Sequence, residues 1–390
     1  MTDAPPGGLR PLALYVHWPY CARVCPYCDF NVVRDRGRRQ EQAQLASAIV
    51  ADIAAHARLT GPMRLTSIFF GGGTPSLMAP VWAAEIIAAA RAAWTSDEAL
   101  EISLEANPTD AEAGRFAGLR AAGVQRLSLG VQALDDASLS FLGRNHGADE
   151  AIRAARLAAA LFPRLSLDLI YALPGQTPEA WTETLARAAD ELGPEHLSAY
   201  QLTIEPGTAF HRAVGRGRFT PVDAELAAQL YEATQAVLER RGFDAYEVSN
   251  HARGAGARSR HNLAYWRGWA YAGVGPGAHG RLDLDGGRTA TAAAPGIADY
   301  LAAVERTGLG WGGAGEVLTS QAVAEERLMM GLRTEEGAPW SALAALSLTP
   351  SHPRVQALAE AGLVAPGAEA LRATRAGRLV LNAVLERLMV

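Results

Sequence analysis

Apolar and polar positions alternate along this chain in short runs, separated by longer runs of helical period. LALYVH (12–17), LTSIFF (65–70), LEISLE (100–105), VQRLSLG (124–130), LSLDLIY (165–171) and HLSAYQLT (196–203) read as strands. Turn residues stop most of them: Gly71-Gly72-Gly73-Thr74-Pro75, Ala106-Asn107-Pro108, Leu173-Pro174-Gly175 and Glu205-Pro206-Gly207. Between them, 40–58, 80–93, 149–161, 178–191 and 223–241 carry apolar residues at helical spacing, and a short helix holds Phe116 and Leu119. Six strand-then-helix units predict an α/β fold with a parallel sheet that curls into a partial (β/α)6 barrel. The working face of such a sheet lies at the C-terminal ends of its strands. His17, the glycine triplet, Glu105, Asn107, Gln132, Asp168, Tyr200 and Gln201 all fall there. Taken singly, Asn107 and Pro174 read as ordinary turn residues.

The pattern changes after residue 242, so the barrel is expected over 10–242. Residues 243–312 are rich in Gly, His and aromatics, read as a connecting region, and include a Gly/Ala-rich stretch at 286–297 expected to be a loop. Residues 313–390 are mainly helical by pattern and predict a small, winged-helix-like C-terminal domain. Its basic residues are interleaved with glutamates, unlike a DNA-reading face.

Composition narrows the function classes. The chain is 49% hydrophobic, enough for a large core. Its net charge of −5 argues against nucleic-acid binding through bulk charge. No apolar run is long enough to span a bilayer, so an integral membrane protein is not expected. The first residues do not read as a secretory signal, and the expected address is the cytoplasm. All 36 basic residues are arginine, which removes Schiff-base and P-loop lysine chemistry. Trp82, Trp94 and Trp181 fall in helical patterns and are expected in the core, as are Met329 and Met330.

The three cysteines, Cys21, Cys25 and Cys28, lie within eight residues, directly after the first strand. An odd count in one short loop does not describe a disulfide framework. Three soft ligands suit an iron–sulfur cluster, zinc or a redox thiol set. A four-iron cluster has four corners, so three thiolates would leave one open to another ligand. Zinc would need a fourth ligand such as His17.

YVHWPYCARVCPYCDF resembles the signature of the radical S-adenosylmethionine (SAM) superfamily, and FFGGGTPS resembles its glycine-rich strand end. The resemblance implies that Cys21, Cys25 and Cys28 hold a [4Fe–4S] cluster whose fourth iron is chelated by the amino and carboxylate groups of SAM; in that superfamily an electron from the cluster cleaves SAM to a radical. SLEANP, LSLGVQAL, LGRNH, LDLIYALPGQT and YQLTIEPGT are similar, in order, to the subfamily of oxygen-independent coproporphyrinogen III oxidases and haem chaperones of the HemW type. That similarity covers nearly the whole chain, including the C-terminal domain. It implies SAM contacts at Tyr15, Tyr27, Gly72, Gly73, Thr74, Glu105, Gln132, Arg144 and Asp168. Glu105 and Asp168 would accept hydrogen bonds from the ammonium or ribose, and Arg144 would fork onto the carboxylate.

Three features separate the two branches. Asp29-Phe30 stands where the oxidases carry a further cysteine, the first strand begins at about residue 12 so that the oxidases' N-terminal extension is not expected, and His261-Asn262-Leu263-Ala264-Tyr265-Trp266 matches the HNxxYW pattern associated with haem in the chaperones. The resemblance therefore implies a haem chaperone that passes haem to an acceptor protein, for example a respiratory one, in preference to an enzyme that decarboxylates coproporphyrinogen III. His261 would be an axial ligand, with His251 and His279 as rivals. Tyr265 and Trp266 would offer flat faces, and Arg258, Arg260 and Arg267 could pair propionates. The basic run Arg34–Arg39 could dock a reducing partner such as flavodoxin.

Overall fold

The computed structural model describes residues 8–313 and 315–389. Six parallel strands follow one another in chain order: β1 (Pro11–Trp18), β2 (Arg64–Gly72), β3 (Thr95–Ala106), β4 (Arg126–Gln132), β5 (Arg164–Tyr171) and β6 (His196–Gln201). Each pairs in parallel with the next. The connecting helices include α1 (Arg39–Thr60), α2 (Pro80–Ala93), α3 (Phe116–Ala121), α4 (Ala148–Leu161) and α5 (Pro178–Glu191), with α6 (Ala224–Glu239) after β6. Leucines, isoleucines and valines on the outward faces of the strands pack against buried faces of these helices and form one continuous core. Trp181 and Trp94 are buried within it, while Trp82 packs partly buried against Trp18.

Residues 243–312 extend this sheet at both ends. Strand β7 (Asn250–Ala252) runs antiparallel to β6, and β8 (Ala270–Val274) runs parallel to β1. Two further strands, β9 (His279–Leu284) and β10 (Gly287–Ala292), continue antiparallel beyond β8. The stretch expected to be a loop at 286–297 is thus largely strand β10. Its alternation uses threonine in place of leucine: Thr289 and Thr291 are the buried positions, and a full ladder to β9 holds them. The hydrogen-bonded strand order begins and ends on different strands, so the described strands form an open barrel.

Beyond residue 317 the chain builds a second core. Helices Ser320–Gly331, Pro353–Glu360 and Leu381–Met389 pack Leu328, Val355 and Val384 against a three-stranded antiparallel sheet containing Leu371. Met329 packs against this core, partly buried. Arginines clamp this unit to the barrel side: Arg258 to Glu335 at 2.6 Å, Arg267 to Glu336 at 2.6 Å and Arg281 to Glu326 at 2.7 Å.

Candidate functional site

The C-terminal ends of the barrel strands open into a cavity of about 530 Å³, within the range of small-molecule sites. The strand period explains its lining. Side chains two apart on one strand share a face, so β4 brings Arg126, Ser128 and Gly130 to the cavity, β5 brings Asp168 and Ile170, and β6 brings Ser198 and Tyr200. Tyr15 and Phe69 come from β1 and β2.

The cysteine loop caps this cavity. Its ends are pinned, because Val33 N donates to Pro19 O at 2.8 Å and Asp35 N donates to Cys21 O at 2.7 Å. Inside it, Cys28 N donates to Cys25 O at 3.2 Å. All three thiols line the cavity; Cys21 is buried and the other two are half-buried. Burial pushes the Cys21 thiol up to about 11 and raises that of Cys28. Among the described residues, no three Cys, His, Asp or Glu side chains converge as a single metal ion would require. Thiols spread around a loop instead suit a cluster, whose irons each take a separate ligand.

The glycine triplet lies beside the loop. Gly72 has φ of +105°, where a side chain is strained, and its N–H donates to Glu105 Oε2 at 3.2 Å. A Cβ on Gly73 would lie 2.6 Å from the Tyr20 carbonyl oxygen and 2.7 Å from the Pro19 carbonyl carbon, so only glycine lets the two strand ends approach. Thr74 closes the turn: its N–H donates to Tyr20 O at 2.8 Å, and its hydroxyl accepts from Asn107 Nδ2 at 3.0 Å.

Arg144 joins the loop to the barrel. It follows the short helix Asp136–Phe141, which Asp135 caps by accepting from Ser138 N at 2.8 Å. Its guanidinium donates to Cys25 Sγ at 3.2 Å, Tyr27 Oη at 3.4 Å, Gly130 O at 3.1 Å and Asn107 Oδ1. Nε is buried without a partner. Gln132 has a φ of +66° and a buried Oε1 that also lacks a partner. Left-handed backbone at a non-glycine residue is costly, and it marks sites that hold a side chain in one direction.

Two carboxyls face this rim. Asp168 accepts from Ser128 Oγ at 2.9 and 3.2 Å, yet burial raises its pKa. Glu105 is pushed up to about 8, first by burial and then by Asp168, despite the Gly72 N–H and the charge of Arg126. The rim therefore holds carboxyls that favour a cationic or hydroxyl-bearing ligand, beside a guanidinium that favours a carboxylate. An amino-acid-bearing sulfonium such as SAM has this combination. The residues present fit it and a three-thiolate cluster.

The HNxxYW residues divide. His261 and Tyr265, on helix α7 (Arg260–Trp266), line the cavity, and Trp266 does not. Trp266 packs instead under the Arg333 guanidinium, 4.9 Å from the ring centre, toward the C-terminal unit. The His261 ring is buried and stacks on Phe69 with centres 4.9 Å apart. Nδ1 lies 2.9 Å from Ser67 Oγ, and Nε2 lies 2.9 Å from Tyr265 Oη. Burial, then the charge of Arg126, lowers its pKa to about 3, so the imidazole is neutral. His279 is exposed and His251 is buried, and neither lines the cavity. The three arginines expected for propionates are also elsewhere: Arg258 and Arg267 pair with Glu335 and Glu336, and Arg260 donates to Ala99 O. Charge complementarity with the C-terminal unit draws the first two away.

Comparison with known proteins accounts for this arrangement. Residues 15–188 match the radical SAM superfamily model, and residues 318–380 match the HemN C-terminal domain. The haem chaperone HemW of Mycobacterium tuberculosis is 35% identical over 97% of this chain and 95% of its own. The chain belongs to the radical SAM superfamily, in the group that contains HemW. HemW of Escherichia coli is 40% identical over 72% of each chain. Bovine radical S-adenosyl methionine domain-containing protein 1, a mitochondrial protein, is 40% identical over 99% of this chain and 89% of its own. Coproporphyrinogen III oxidase (HemN) of Escherichia coli shares the fold, with a TM-score of 0.79 at 23% identity over 98% of this chain and 91% of that one. Bacterial and mitochondrial relatives both occur, so family membership selects no compartment. Among the described residues, no helix is long and apolar enough to cross a membrane.

Several cavity residues do more than their place in the sequence suggests. Asn107 is not merely a turn residue: it bridges Thr74 and Arg144. Arg126, Ser128 and Asn250 also line the cavity. For the first two, the signal is the two-residue period of RLSLG, which places them on the same face as Gly130.

Proposed function

We propose that this protein is a haem chaperone that carries a [4Fe–4S] cluster on Cys21, Cys25 and Cys28 and binds SAM at the barrel rim. The observation that carries this reading is that all nine SAM positions implied by the resemblance line one cavity, beneath three thiols and in a HemW-group chain. When bound, the cluster supplies single electrons at its open corner. The chain's own residues supply the rest: Glu105 and Asp168 take the positive and hydroxyl groups of SAM, Arg144 takes its carboxylate, and the cysteine loop shields the rim from water.

Haem is the cargo. We assign its axial ligand to His261, whose Nδ1 is already held by Ser67, as metal-binding histidines are commonly held by a partner on the other nitrogen. Its Nε2 meets only the Tyr265 hydroxyl, which iron would replace. The neutral state that ligation needs is the one burial enforces. An acceptor protein and a one-electron reductant complete the cycle.

The test is anaerobic reconstitution, with iron and sulfide counted, followed by SAM and then haem. Uptake of haem with a shifted Soret band, lost in His261→Ala, is expected. Conversion of coproporphyrinogen III to protoporphyrinogen under dithionite would overturn the chaperone reading in favour of the oxidase, and failure to take up haem would overturn it outright.

A further inference from the structure

The barrel interior beneath the rim is polar, and most of its groups satisfy one another. Ser128 donates to Asp168, Ser166 Oγ lies 2.7 Å from His196 Nδ1, Ser198 donates to Asn250 Oδ1 at 3.0 Å, and Ser67 holds His261. Arg126 is the buried, charged exception. It is 2% exposed and lines the cavity, yet its guanidinium makes no hydrogen bond or ion pair with any described residue. Its Nε is shut off without a partner, and so is the hydroxyl of Ser103, its register neighbour on β3. A buried charge left unpaired is among the most costly features a fold can hold.

A simpler role for Arg126 is that of a through-space counter-ion for Glu105 and Asp168, whose pKa values its charge does lower. But those carboxyls have their own donors, Gly72 N and Ser128 Oγ. Glu105 also stays largely protonated near neutrality, so it returns little charge. Nor does that role require the guanidinium to line a cavity.

We propose that Arg126 is a second anion receptor, at the cavity floor, and takes a carboxylate arm of the tetrapyrrole cargo while Arg144 serves the carboxylate of SAM; this rests on the haem reading above. A guanidinium fork matches a planar carboxylate with two parallel hydrogen bonds. Arg258, Arg260 and Arg267 are engaged elsewhere, which leaves Arg126 and Arg144 as the arginines of this cavity besides Arg23 of the cysteine loop, whose guanidinium donates to Arg144 O.

The test is a ligand–variant cycle on cluster-loaded protein. Haem and its propionate dimethyl ester are titrated into wild type, Arg126→Gln and Arg126→Lys. Wild type is expected to prefer the diacid over the diester by about 10- to 100-fold. That preference falls to near unity in Arg126→Gln and only partly in Arg126→Lys, which keeps the charge but loses the fork. Should Arg126→Gln fail to fold, the lysine variant carries the comparison. An unchanged preference in the variants overturns the proposal. So does a loss confined to SAM affinity, which would assign Arg126 to the SAM carboxylate, or a change confined to thermal stability, which would make it a counter-ion. If wild type binds neither porphyrin, the haem reading itself fails and takes this inference with it.

Discussion

Glu105→Gln isolates the electrostatics of the rim. The carboxyl is raised from 4.5 to about 8, chiefly by burial. At about 1.4 kcal/mol per pH unit, that difference costs at most about 5 kcal/mol. The side chain faces a cavity that water can enter, so about 2–4 kcal/mol is the working range. The sign follows from the direction. Below about pH 4.5 both folded and unfolded chains hold the proton and nothing is lost. As pH rises toward 8, the unfolded chain releases the proton while the folded chain keeps it, so stability falls across that window. Urea unfolding of the cluster-free protein at pH 5 and pH 8.5 measures this loss. Glu105→Gln, which cannot ionise, should lose about 2–4 kcal/mol less than wild type between the two. SAM reverses the balance, because its ammonium favours the ionised carboxylate. SAM binding at pH 7 should therefore release on the order of one proton, read by calorimetry in buffers of different ionisation heat. Parallel pH dependences in wild type and variant would refute the reasoning.

Replacing any one of Cys21, Cys25 and Cys28 with serine should remove most of the iron and sulfide from reconstituted protein, by direct assay, because no fourth cysteine exists to substitute. Arg144→Lys keeps the charge but loses the fork that spans Cys25, Tyr27, Gly130 and Asn107. SAM affinity should drop by about 10- to 100-fold in equilibrium binding. Gly73→Ala drives a methyl into the backbone of Pro19 and Tyr20 and should cost about 1–3 kcal/mol in denaturant unfolding.

The strands of the barrel were legible because each repeats an apolar residue every second position, and the polar residues between them had to point inward together. RLSLG, RLSLD and HLSAY place Arg126, Ser128, Asp168 and Ser198 on one face through that alternation alone. Strand β10 was not legible, because threonine and alanine in GRTATA mark no buried face until a neighbouring strand supplies the ladder. The destination of Trp266 was hidden for a different reason. On a helix of seven residues, HNLAYW sends His261 and Tyr265 inward at a spacing of four, and the adjacent tryptophan turns away by about 100°. A linear motif cannot show that turn, nor that Arg333 waits on the other side.

Two kinds of arginine occur around this site. Arg258, Arg260 and Arg267 sit near the HNxxYW residues in sequence, and proximity suggested a shared ligand. Two of them instead meet glutamates of the C-terminal unit, since a solvent-facing guanidinium gains by pairing with whatever carboxylate is in reach. Arg126 lies more than a hundred residues earlier and gave no such hint. Its distinction is visible only as a deficit: most of the surrounding hydroxyls and imidazoles have partners, and its buried guanidinium has none among the described residues. In a folded interior that pairs nearly every polar group, the unpaired one is the best guide to where a ligand must bring the missing charge.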